Sequence, residues 1–126
     1  MTNKPKVFDL EERTALFGMT VIRFVKKVAR NDITRPIIDQ LIRSGTSIGA
    51  NYCEADCAES KKDFEHKIGI CKKEAKEARY WMRMMAEAVP EMKEELQVLW
   101  KEVNELHLIF IAIVKKSRLN SLKVSK

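Results

Sequence analysis

The sequence predicts an all-α fold, an up-down-up-down antiparallel four-helix bundle, and three observations lead there. Apolar residues recur every three or four positions in four separate segments. The connections between those segments are short and carry Pro, Ser, Asn and Asp. Four glycines in 126 residues leave little turn chemistry for a many-stranded β fold. The length suits one domain with one core. It divides into an N-terminal tail (1–8), a bundle (9–116) and a basic C-terminal tail (117–126).

The first segment spans about 10–29, with Asp9 as N-cap and Glu11 and Glu12 at the positive end of the helix dipole. Phe17, Val21, Phe24 and Val28 form its apolar stripe, which Ile22, Val25 and Ala29 widen before an Arg30-Asn31-Asp32 turn. The second spans about 35–57, with Thr34 as N-cap and Pro36 in the first turn, where a missing N–H costs nothing. Its stripe is Leu41, Gly45, Ile48, Tyr52 and Ala55, and it contains the small-residue run from Ser44 to Ala50. An interior glycine costs roughly 1 kcal/mol relative to alanine, so these residues suggest close approach of a neighbouring helix. A strand-turn reading of the run stays open, although the flanking helical period argues against it.

The third segment spans about 61–88, opened by Ser60 with Asp63 three residues on, as in a capping box. Phe64, Ile68, Cys71, Ala75, Ala78, Met82, Met85 and Val89 then make an unbroken heptad seam. Pro90 opens the fourth segment, about 91–116, where Met92, Leu96, Leu99, Val103, Leu106, Phe110 and Ile113 repeat the spacing. Lys115 and Lys116 suit its C-terminus. Ile70, Tyr80, Trp81 and Met84 fall off the third seam, and Trp100, Leu108, Ile111 and Val114 off the fourth. This excess implies a second buried surface, an interface between copies of the chain; a bundle burying unusually wide stripes is the alternative.

Charge is uneven. The net +6 comes from 24 Lys+Arg against 18 Asp+Glu. Residues 115–126 hold five of the basic residues, among them Lys115, Lys116 and Arg118, and no acidic ones. Lys72, Lys76, Arg79 and Arg83 step by four, three and four along the third segment, and Arg23, Lys27 and Arg30, with Lys26 beside them, do so along the first. Such rows can track the phosphates of RNA or DNA. Glu74 and Glu77 lie close enough for the alternative, ordinary Glu–Lys pairing on a solvated face. Arg43, Ser47, Asn51 and Glu54 suggest a buried polar network fixing helix register, with a ligand site as the alternative.

Little points to catalysis. Gly45 to Gly49 is not followed by the Lys-Ser/Thr of a phosphate-binding loop, and the paired Glu-x-x-His motifs of a di-iron bundle are missing. Cys53, Cys57, Cys71, His66 and His107 match no zinc spacing, so the thiols read as small packing residues. No catalytic residue, metal, cofactor or small-molecule substrate is expected. Residues 1–8 have no apolar stretch of signal-peptide type, and the run Leu106–Val114 is too short for a bilayer, so a cytoplasmic protein without a membrane partner is expected.

The stretch from Leu41 to Met85 carries a resemblance. The run Arg43-Ser44-Gly45-Thr46-Ser47-Ile48-Gly49-Ala50-Asn51 is followed by Glu54-Ala55, Ser60-Lys61-Lys62-Asp63-Phe64, Lys73-Glu74-Ala75 and Tyr80-Trp81. Together these resemble the four-helix-bundle family encoded by intervening sequences of bacterial 23S ribosomal RNA genes, and the likeness extends over about 8–116. The resemblance implies an up-down bundle, a homopentameric ring and no enzymatic activity. The family is also similar to an accessory protein of diversity-generating retroelements, a basic pentamer that binds nucleic acid and a reverse transcriptase. Cys53, Cys57 and Cys71 stand where Ser or Ala is usual, so the resemblance brings no redox role. The expected function is a non-enzymatic, oligomeric bundle that binds RNA or DNA; the alternative is a protein-interaction module without a nucleic-acid ligand.

Overall fold

A computed structural model describes residues 9–125, and the side chains of 9–122. The tail 1–8 lies outside the described residues. The fold is all-α: α1 (Leu10–Val25), α2 (Thr34–Asp56), α3 (Lys61–Ala88) and α4 (Lys93–Ser125), with a 3-10 turn, Pro90–Met92, before α4. The helices pack against one another, and no strand occurs among the described residues.

Local chemistry sets the helix starts. The Asp9 carboxylate accepts from the Glu12 N–H at 3.2 Å, and the Ser60 hydroxyl from the Asp63 N–H at 3.0 Å. The start of α2 differs from expectation. Asn31, not Thr34, supplies the capping oxygen, accepting from the Ile33 and Thr34 N–H groups at 2.9 Å each. Thr34 instead donates its hydroxyl to the Ala29 carbonyl at 2.6 Å, pinning the connection.

Two ends also differ. α1 stops at Val25 rather than near Ala29, because the Lys27 and Val28 N–H groups turn to the carbonyls three residues back. Ile22 and Ala29, expected in the stripe, are exposed. α4 continues through the expected tail to Ser125, since Leu119 and Leu122 sustain a helical period past Lys116.

The core is built on the expected seams, although Tyr52, Phe64, Met92 and Ile113 are only partly buried and Leu10 and Ile38 join it. Val21, Leu41, Ile48, Ile68, Met85, Val103, Leu106 and Phe110 have no exposed surface. Val114, off the fourth seam, is buried as well. The buried hydroxyls of Thr14 and Ser44 donate to the carbonyls of Leu10 and Gln40, so they cost little. Polar pairs link successive helices. Glu54 meets Lys67 and Arg43 meets Glu74 between α2 and α3, while Glu65 meets Ser117 and Arg79 meets Asn104 between α3 and α4.

The small-residue run does bring α1 and α2 close. A methyl group on Gly45 would lie 3.1 Å from a Val21 methyl, and one on Gly49 would lie 3.4 Å from the Thr14 backbone. Gly69 on α3 has nothing within 4 Å of that position. Gly69→Ala should therefore stabilise the chain by up to about 1 kcal/mol through helix propensity. Gly45→Leu should destabilise it by about 1–3 kcal/mol through overpacking. Urea unfolding followed by circular dichroism checks both signs.

Candidate nucleic-acid interface

The apolar seams of α3 and α4 fix how each helix is rotated about its axis, and this settles which polar residues face each other across the groove outside the seam. On α3 those positions are Lys72, Lys76, Arg79 and Arg83. On α4 they are Lys93, Gln97, Trp100 and Asn104, then His107, Ile111, Lys115 and Arg118, at steps of three and four. No Asp or Glu occupies this α4 stripe. Along the helix axis, Lys93 to Arg118 spans about 38 Å at 1.5 Å per residue.

Specific contacts tie the two rows together. The Arg79 guanidinium donates to the Asn104 side-chain oxygen at 2.7 Å. Lys72 shares a groove of about 270 Å³ with Ile111, Val114, Lys115, Arg118 and Leu119. Arg83 and Lys93 flank Trp100 and Gln97 at the other end. His107 sits between these ends, half-buried; burial lowers its pKa from the ordinary 6.5, and the positive charges of Arg79, Lys72 and Lys76 lower it further. At neutral pH it is an uncharged group facing three cations.

Three carboxylates of α4, those of Glu95, Glu102 and Glu105, are engaged on another side of the helix. Arg13 of α1 donates to Glu102 at 2.7 and 3.0 Å and also to Glu105. The bond to Glu102 leads in raising the Arg13 pKa, against the opposing effect of burial. Lys27 pairs with Glu95 at 2.6 Å. This places Arg23 and Lys27 of the first basic row on the α1 side of α4, in a groove with Glu95 and Val98. Lys26, Lys27 and Arg30 lie past the end of α1 in the connection rather than on a helix, and only Arg23 remains on it. The two expected rows are thus separate. Lys115 and Arg118, expected in or beside the tail, extend the α3 row along helix α4, and Lys116 is exposed on the same helix.

Arg43, Ser47, Asn51 and Glu54 do not join in one network. Arg43 bonds Glu74 at 3.1 Å, Glu77 and Gln40. Ser47 donates to the Arg43 carbonyl and Asn51 to the Ser47 carbonyl, both within α2, while Glu54 pairs with Lys67. Burial alone would push the Glu77 carboxyl up, but hydrogen bonds from Arg43 and Trp81 outweigh it and hold the pKa low. Glu74 and Glu77, which could have neutralised the α3 row, are thereby held toward α2.

Of the off-seam apolar residues, Tyr80, Leu108 and Ile111 are exposed, and Ile70, Trp81, Met84 and Trp100 are half-buried. Trp81 packs edge-on against Tyr80, with ring centroids 5.0 Å apart. Trp81 and Met84 share a cavity of about 500 Å³ with Ile33 and Ile37, and Ile33 is 67% exposed. Cys71 is buried, its thiol pushed up to about 12 by desolvation, whereas Cys53 and Cys57 are exposed. No cluster of three or more His, Cys, Asp or Glu suited to a metal occurs among the described residues. No helix among them is long and apolar enough to cross a membrane.

Sequence reasoning missed Lys93, Gln97, Asn104 and His107. Their signal lies in the helical phase of α4, which the linear distribution of charge does not reveal.

Comparison with known proteins agrees with this architecture. A solved structure from Bacteroides thetaiotaomicron VPI-5482, a protein of unknown function from the S23 ribosomal protein family, superposes with a TM-score of 0.74 at 28% identity. The match covers 83% of this chain and 97% of that one. None of the curated proteins matches the chain. The model of the family described as 23S rRNA-intervening sequence protein matches residues 9–112, nearly the whole bundle, and the chain belongs to that family.

Proposed function

We propose that this chain is a non-enzymatic nucleic-acid-binding protein that holds the phosphates of RNA or DNA along the groove between α3 and α4. One observation carries the reading: Lys72, Lys76, Arg79, Arg83, Lys93, Lys115 and Arg118 line one face whose α4 stripe has no carboxylate. A solvated Glu–Lys face would mix both signs, as the α1 side of α4 does with Lys27 and Glu95. The family's link to ribosomal RNA genes agrees with a polyanionic partner.

The same proposal includes an up-down-up-down antiparallel topology and self-association. Pairs such as Glu54–Lys67 and Glu65–Ser117 favour the first, since each joins the end of one helix to the start of its neighbour or the reverse. Exposed Ile33, Tyr80 and Leu108, together with the cavity holding Trp81, favour the second. A homopentameric ring, as the resemblance implies, would present the basic face five times. Weak contacts would then sum by avidity.

Three outcomes follow. In anisotropy titrations with structured RNA, affinity should fall steeply with salt, and Lys76→Gln should reduce the log–log slope by about 0.7–0.9; binding indifferent to salt would sink the reading. Bound phosphates offset the cations that depress His107, so its pKa rises and binding takes up a proton. Affinity should then increase as pH falls from neutrality toward the depressed value of the free protein, and His107→Gln should remove that increment. Light scattering should give a mass several times 14.6 kDa, and Trp81→Glu should lower it.

A further inference from the structure

At the α4 N-terminal end of the basic groove the surface changes character. Arg83 of α3 and Lys93, Gln97 and Trp100 of α4 surround a cavity of about 230 Å³ with Met82 and Leu96 among its lining residues. That is room for several waters, and so for one flat ring. Trp100 is half-buried and packs against the core, so its indole is held in place rather than free to turn. A cation stands on each helix, and no carboxylate lines the cavity.

We propose that this cavity receives one unpaired nucleobase of a single-stranded RNA or DNA, stacked on Trp100. The inference rests on the reading of the α3/α4 face as nucleic-acid-binding and names what that face selects. An indole offers a π-face on which any base can stack, and the apolar floor of Met82 and Leu96 suits the other surface of the ring. The Gln97 amide brings a donor and an acceptor to the edge of the base. Arg83 and Lys93 match the phosphates on either side. From Arg83 the row continues through Arg79 and Lys76 to Lys72, so the strand leaving the cavity has a charged path of about 16 Å. A base inside a duplex has both faces covered by its neighbours and cannot enter; a single strand, a loop or a frayed end can.

Trp100 is one of two tryptophans, so Trp81→Phe leaves it as the sole indole reporter. Its fluorescence in the full-length protein would be followed while adding a short oligoriboadenylate, the matching deoxy strand, a blunt RNA hairpin of equal charge, and AMP. Both single strands should quench Trp100 with the half-point seen by anisotropy. The hairpin should bind without quenching, and AMP should bind far more weakly than either strand. Trp100→Leu should weaken single-strand binding roughly 5- to 150-fold, the range set by stacking on one aromatic ring, while Trp100→Phe retains most of it. Unchanged helical circular dichroism would show that the variants still fold, and Gln97→Ala, at an exposed position, gives an independent reading through a several-fold loss. Salt-dependent binding of single strands without quenching would overturn the base site and leave the phosphate-binding face standing. Quenching by the hairpin equal to that by the single strands, or by AMP at equal affinity, would overturn the selection of an unpaired base in a strand. Failure of every nucleic acid to bind at low salt would overturn this site and the broader reading together.

Discussion

The seam between α3 and α4 governs everything outside it. α3 buries an apolar residue at every third or fourth position from Ile68 to Val89, as α4 does from Leu96 to Val114, and Cys71, Ala75, Ala78, Val103, Leu106 and Phe110 have no exposed surface. Two helices locked along such a length cannot rotate about their axes without exposing that core. The residues flanking the seam are therefore aligned whatever their own chemistry. A row of cations that would be scattered on an isolated helix becomes the wall of a groove.

Alignment alone would not make the groove positive, because α4 carries several glutamates. Arg13 of α1 engages Glu102 and Glu105 together, and Lys27 of the connection after α1 takes Glu95. On the far side of α3, Arg43 does the same for Glu74 and Glu77. The Arg13–Glu102 contact, with two hydrogen bonds and partial burial of both groups, holds better than an ordinary surface pair. Glu95, Glu102, Glu105, Glu74 and Glu77 are thus held on the α1 and α2 sides by basic residues that are spent in holding them.

How far the sequence disclosed this depended on whether a signal was local. The heptads from Phe64 to Val89 and from Met92 to Ile113 were legible because burial imposes a period on residue type. Asp9 and Ser60 were legible because a cap acts within three residues. The end of α1 was not, since Val28 keeps the apolar period while its N–H has already turned to Val25. The end of α4 was misplaced because Lys115 and Lys116 look like a terminus, yet Leu119 and Leu122 continue the helix. Arg43, Ser47, Asn51 and Glu54 share a helix face, but their partners lie on another helix or on their own backbone, and spacing does not encode that choice. His107 and Lys93 entered the basic face only once α4 had been set against α3.

The close approach of α1 and α2 has a consequence for how the chain can vary. Because Val21 fills the space where a Gly45 side chain would stand, and the Thr14 backbone borders that of Gly49, these positions form a lock in which neither partner can change size alone. The basic groove lies on the other pair of helices and shares none of those contacts. Substitutions can therefore accumulate at the groove-lining positions of α3 and α4, altering what the groove accepts, while the buried seam and the α1/α2 lock keep the bundle assembled. The molecule separates the buried contacts that resist substitution from the groove positions that are free to adapt.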